Sequence, residues 1–224
     1  MSDLPEAVRR YVERALPSRG PLPRWVRFTQ TGEMQLKAGR WLSFEARQAV
    51  RVDRIEFAWR ARFQAAPLVS IGVRDWFRDG DGGLEARLFG LIPVARAAGP
   101  ETARSEAMRY LAELPWFPQA ILGNDDLEWR ALKPTTVEVA TTVGSAEVAV
   151  TLHFDEAGDI VGASAPDRPR QEGPRFVERA WRGAFADYRE LGGVRVPTRA
   201  EVTWELPNGP FMYFRGRVTG LDSE

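Results

Sequence analysis

The stretch Arg54-Ile-Glu-Phe-Ala-Trp-Arg-Ala-Arg-Phe63 decides the fold class. In an extended chain, Ile55, Phe57, Trp59, Ala61 and Phe63 share one side, and Glu56, Arg60 and Arg62 share the other. Successive strand side chains point to opposite faces, so this alternation predicts an antiparallel strand with one buried and one wet face. The same period runs outward in both directions. Val26 and Phe28 match it in 24–31, and Leu42, Phe44 and Ala46 match it in 40–50. In 67–78, Val69, Ile71, Val73 and Phe77 fall together, with Asp75 among them. Asp79-Gly-Asp-Gly-Gly83 is a hairpin signal, and 84–92 returns with Leu84, Ala86, Leu88 and Ile92 on one face. Residues 24–94 therefore read as a meander of about five strands.

Ala97-Ala-Gly-Pro100 breaks the period. Glu101–Leu114 carries Ala103, Ala107, Leu111 and Leu114 at helical spacing, widened by Met108 and Tyr110. Pro115 and Pro118 stop that helix and frame Trp116 and Phe117. After Gly123-Asn-Asp-Asp126, further strands are expected at 127–133, 135–143, 146–154, 159–165, 175–189, 194–206 and 211–219, with 168–174 as a loop. Leu4, Val8, Tyr11, Val12 and Ala15 predict a short amphipathic helix over 4–16. The expected organisation is an N-terminal helix and linker at 1–23, then a single curved-sheet domain at 24–224 with a helical insert at about 101–122. So many antiparallel strands in one sheet must curl or split, and the stripe of 101–114 needs a sheet to cover. The expected fold is mostly β: a strongly curved antiparallel half-barrel of about 10–12 strands wrapped around a central helix. A closed barrel or a two-sheet sandwich is the alternative.

The 224 residues carry 31 basic and 31 acidic side chains, so no net positive charge invites a nucleic acid. Cysteine is absent, which removes disulfides, thiolate metal sites and a cysteine nucleophile. His153 is the single histidine, so a histidine-rich metal site is excluded too, and no metal is expected. Neither a glycine-rich dinucleotide fingerprint nor a phosphate-binding loop occurs, and no cofactor is expected. The charged start of the chain reads as neither signal peptide nor anchor, and no apolar run is long enough to span a bilayer. A cytoplasmic location is the expectation.

Several stretches together resemble the uncharacterised bacterial family DUF6544, also termed DUF6920. They include Phe28-Thr-Gln-Thr-Gly32, Trp41-Leu-Ser-Phe-Glu-Ala46, Phe57-Ala-Trp-Arg-Ala61 and, most recognisably, Arg109-Tyr-Leu-Ala-Glu-Leu-Pro-Trp-Phe-Pro118. The later Phe154-Asp-Glu-Ala-Gly158, Asp187-Tyr188 and Val196-Pro197 extend the resemblance over about 25–219. The family pattern is similar to the lipoprotein-carrier (LolA-like) half-barrels, which implies acyl chains held between a sheet and covering helices. The chain departs from such carriers in lacking a signal peptide and a lipidation cysteine.

The candidate catalytic residues are Glu113, Asp75 and Arg109. Arg109 and Glu113 stand four apart on one helix face and can pair, either to lock the helix to the sheet or to place a polar group in a pocket. Asp75 interrupts an apolar face; it orders the following turn, or it is a buried carboxylate that needs a partner. Trp116, Phe117, Trp181, Tyr188, Trp204 and Tyr213 are candidate pocket lining or core. His153 reads as surface or hydrogen-bonded packing, and Arg168, Arg170, Arg175 and Arg179, clustered near the loop, as a solvated face or, alternatively, an anion site. The expected function is a binding module for a lipid or other apolar small molecule. The alternatives are an isomerase, cyclase or hydrolase using pocket carboxylates, and a structural or protein-interaction domain.

Overall fold

A computed structural model describes residues 4–17 and 20–224. The linker read at 17–23 lies partly outside the described residues. The strand that decides the fold class runs Phe57–Ala66 as β3, and its alternation is realised: Phe57, Trp59, Ala61 and Phe63 are buried while Arg60 and Arg62 are exposed. Before it lie helix α1 (Glu6–Ala15), β1 (Trp25–Lys37) and β2 (Arg40–Arg51). After it come β4 (Val69–Arg78), β5 (Asp81–Leu88) and β6 (Ile92–Ala98). Helix α2 (Pro100–Glu113), a 3-10 turn at Leu114–Trp116 and α3 (Gln119–Gly123) form the insert. The second run of strands is β7 (Glu128–Lys133), β8 (Thr136–Val143), β9 (Ala146–Phe154), β10 (Ile160–Glu172), β11 (Arg175–Leu191), β12 (Val194–Leu206) and β13 (Gly209–Ser223).

Each run is an antiparallel meander, and β1 pairs with β13 to join them. The order is β6-β5-β4-β3-β2-β1-β13-β12-β11-β10-β9-β8-β7. Trp25 and Glu224 exchange backbone hydrogen bonds at 2.8 and 2.9 Å, closing one end of that central seam.

The expected strongly curved half-barrel of 10–12 strands is corrected on both counts. The strands number thirteen among the described residues, and they form one open sheet that is not rolled up on itself. A barrel buries its apolar face against its own far side and so abolishes its edges. Here helices do the covering. Helix α2 packs on β4, β5 and β6 of one wing and on β8, β9 and β10 of the other, while α1 packs on β8 and β12. The edges β6 and β7 stay unpaired on their outer sides among the described residues. Each is short, and β6 carries Pro93, which suits an edge. Strand β6 is also the one that the alternation missed. Only Ala97 of it is half-buried, so no two-residue period was there to read.

The supposed loop at 168–174 is corrected as well. Strand β10 continues to Glu172 across an irregularity between Ala165 and Arg168, which brings Arg168 opposite Arg179 of β11. Helix α2 sits very close to β5 because Gly82 has no side chain: a Cβ there would lie 2.6 Å from Cα of Ala103. Helix α1 buries Val8, Tyr11, Val12 and Ala15, and the Tyr11 hydroxyl donates to the Pro115 carbonyl at 3.1 Å.

Candidate functional site

Strand register sets a row of inward residues across the first wing. Phe28, Gln48, Trp59, Asp75 and Leu84 lie opposite one another in succession on β1 to β5. Two of the five are polar, and both are buried. A buried carboxylate needs a counter-charge, and α2 supplies it. The Arg109 guanidinium donates from Nη1 to Asp75 Oδ2 at 2.7 Å, from Nε to Glu113 Oε1 at 2.8 Å and from Nη2 to Gln48 Oε1 at 3.3 Å. Gln48 in turn donates to the second oxygen of Glu113 at 2.5 Å. The guanidinium also lies over the rings of Phe57 and Trp59, 5.2 and 5.1 Å from their centroids. Trp59 is held from behind by its indole N–H, which donates to Gln30 at 2.8 Å.

Thr102, Glu106, Arg109 and Glu113 recur every three or four residues, so they share one face of α2. That face fronts a cavity of about 260 Å³ between α2 and both wings. Trp116, Phe185, Trp204 and Phe214 supply much of the apolar wall. From the second wing, Arg168 enters buried, 4.6 Å above the Trp181 ring and 5.5 Å from that of Trp204, and donates from Nε to Ser105 Oγ at 3.1 Å.

Burial acts on Glu106, Asp75 and Arg109. It pushes Glu106 up to about 8, reinforced by the negative charge of Asp75. Burial likewise raises Asp75, against the pull of the Arg109 guanidinium. Burial alone would lower Arg109, but Glu113, Asp75 and Glu106 outweigh it and hold the guanidinium firmly protonated. Asp75 Oδ1, Glu106 Oε2 and Thr102 Oγ1 are buried without a hydrogen-bond partner among the described residues.

The structure brings together Asp75, Arg109, Glu113, Trp116, Trp181, Trp204 and Tyr213 at this cavity. It places Phe117 and Tyr188 elsewhere. Phe117 is fully buried in the core against Tyr110. Tyr188 donates to the Ile160 carbonyl at 2.7 Å and packs on Tyr11. Asp75 is the buried, partnered carboxylate and not a turn-ordering residue. His153 is hydrogen-bonded to Ser164 at 2.8 Å, and its burial pushes it below the usual histidine range. Glu106 escaped the sequence reading, although its spacing of three from Arg109 and seven from Glu113 was a signal. The solvated face expected for the arginine cluster is corrected at Arg168, which strand β10 carries inward to a buried position against Trp181 and Trp204.

The sequence matches the family of unknown function DUF6544 over residues 1–216. The chain belongs to the DUF6544 family. No curated protein matches this DUF6544 member. Its fold is similar to that of a LolA superfamily protein from Nitrosomonas europaea, with a TM-score of 0.51 and 11% identity, covering 97% of this chain and 92% of that one. A putative outer membrane lipoprotein-sorting protein domain from Vibrio parahaemolyticus is similar to the same degree, with a TM-score of 0.51 and 12% identity over 97% and 92% of the two chains. At these identities the likeness shows a shared, LolA-like fold and nothing further. Among its described residues no helix is long and apolar enough to cross a membrane, and no group of three or more His, Cys, Asp or Glu is placed to hold a metal ion.

Proposed function

We propose that this DUF6544 protein binds an apolar small molecule in the cavity beneath α2. The observation that carries this reading is the unfilled space of about 260 Å³, walled by aromatic side chains and closed at one side by a fixed polar cluster. Ligand sites commonly combine an apolar wall with a few placed polar groups, in volumes of roughly 300–1,000 Å³. A cavity just below that range suits a single short chain or a small ring system. A multi-chain lipid would need the wings to part.

A carboxylate-driven isomerase, cyclase or hydrolase has less in its favour. Both oxygens of Glu113 are hydrogen-bonded, to Arg109 and to Gln48, which ties that carboxylate into the fixed cluster. A purely structural role would call for a filled interior at this place.

Trp59, Trp116, Trp181 and Trp204 line the cavity, so the intrinsic fluorescence of the chain reports on occupancy. Titration with straight-chain alcohols of six to twelve carbons should give saturable changes, with affinity rising along the series until the cavity is full. A flat response along the whole series, together with native mass spectra of bare polypeptide, would overturn the proposal.

A further inference from the structure

Three arginines line the cavity: Arg109, Arg168 and Arg170. Two are neutralised. Arg109 has Asp75 and Glu113, and Arg170 has Glu172 at 2.9 Å. Arg168 is different. It is only 6% exposed, yet no carboxylate lies within ion-pair distance of it among the described residues. Its single side-chain hydrogen bond among those residues runs from Nε to the Ser105 hydroxyl. The two terminal nitrogens, which form the forked end of the guanidinium, have no such acceptor.

A buried guanidinium without a counter-ion is costly, and stacking on Trp181 and Trp204 compensates only part of that cost. The same wall holds Thr102, 4% exposed, and Glu106, 7% exposed, each with a buried side-chain oxygen that has no hydrogen-bond partner among the described residues, although Glu106 Oε2 lies 4.0 Å from Arg109 Nη1. Resting on the binding role proposed above, we propose that the cavity ligand is an amphiphile with an anionic head, carboxylate- or phosphate-like, which the forked end of Arg168 holds with Thr102 and the Glu106 carboxyl as further donors.

The chemistry of the three groups is consistent. Guanidinium matches two oxygens of a carboxylate or phosphate at once, which an ammonium does not. Burial keeps Glu106 largely protonated at pH 7, so it presents an O–H to an anion and not a like charge. Asp75 is paired with Arg109 at 2.7 Å and does not reach Arg168 at ion-pair distance. The aromatic wall takes the apolar end.

The test compares four ten-carbon probes on the intact chain at pH 7 by tryptophan fluorescence: decanoate, decyl phosphate, decanol and decylamine. Decanoate or decyl phosphate should bind at least about tenfold more tightly than decanol, the scale of one charge-assisted contact, with decylamine weakest. The better of the two anions tells a carboxylate head from a phosphate head. Arg168→Met should bring that anion to within about threefold of decanol, and Arg168→Lys should restore only part of the preference. Equal binding of decanol and the anions, or tightest binding of decylamine, would overturn the head-group assignment while leaving the binding role intact. So would an Arg168→Met variant that loses decanol as fully as decanoate. Failure of all four probes on the unmodified chain would overturn the binding role and this assignment with it.

Discussion

Glu106→Gln should make the protein more stable in alkali and leave its stability in mild acid nearly unchanged. In the folded chain burial raises Glu106 from 4.5 to about 8. Between those two values the folded state keeps a proton that the unfolded state has released, so stability falls as pH rises through the window and levels off above it. At about 1.36 kcal/mol per pH unit, the interval limits the loss to about 5 kcal/mol. Glutamine keeps the shape and an N–H donor but cannot ionise, so the variant escapes this loss. The assay is urea unfolding of both chains at pH 5, 7 and 9 and constant ionic strength. Every other titrating group contributes alike to both curves, so the difference isolates Glu106 and its coupling to Asp75. The two midpoints should agree at pH 5 and separate by about 1–2 M urea at pH 9, for a slope of roughly 2–3 kcal/mol/M. A difference that does not change with pH would refute the reasoning, because it would mean that Glu106 is ionised or solvated in the folded state throughout.

Arg109→Met should cost about 3–5 kcal/mol, because it leaves Asp75 and Glu113 buried without their cation; thermal unfolding at pH 7 checks it, and a loss under about 1 kcal/mol would show that the cluster is hydrated. Gly82→Ala should destabilise by about 1–3 kcal/mol by pushing α2 off β5, and should weaken decanol binding as the cavity deforms; an unchanged melting temperature would argue against the close approach. Phe117→Ala should cost about 3–5 kcal/mol in urea unfolding while the ranking of the four probes stays the same, since Phe117 belongs to the core and not to the cavity. A changed ranking would contradict that placement.

The sequence exposes those parts of this fold in which burial alternates. Phe57 to Phe63, Val73 to Phe77 and Val148 to Phe154 alternate and are strands; Ala103, Ala107 and Leu111 step at helical spacing and lie on the covering helix. Strand β6 was not readable because an exposed edge carries no alternation. The extension of β10 was hidden by the irregularity before Arg168, which breaks the period where Pro169 and Gly173 already suggest a loop. The half-barrel expectation failed because strand number alone does not say whether a sheet covers itself or is covered by helices. At the site, Asp75, Arg109 and Glu113 were legible from a charge on an apolar face and a four-residue spacing. Phe117 and Tyr188 were misplaced because an aromatic next to a candidate pocket and one in the core look alike in one dimension. Arg168 meets its partners only through tertiary structure, stacking on Trp181 and Trp204 and reaching Ser105 across the molecule.

The seam between β1 and β13 has a consequence for how the protein is made. Each meander closes on neighbours, and its hairpins can form as soon as their residues leave the ribosome. The two halves cannot be joined then, because residues 26–34 must wait for residues 214–223, nearly two hundred positions later. Throughout synthesis the nascent chain displays β1 as a bare edge in what becomes the middle of the sheet. A nascent half with such an edge invites chaperone capture or pairing with another chain.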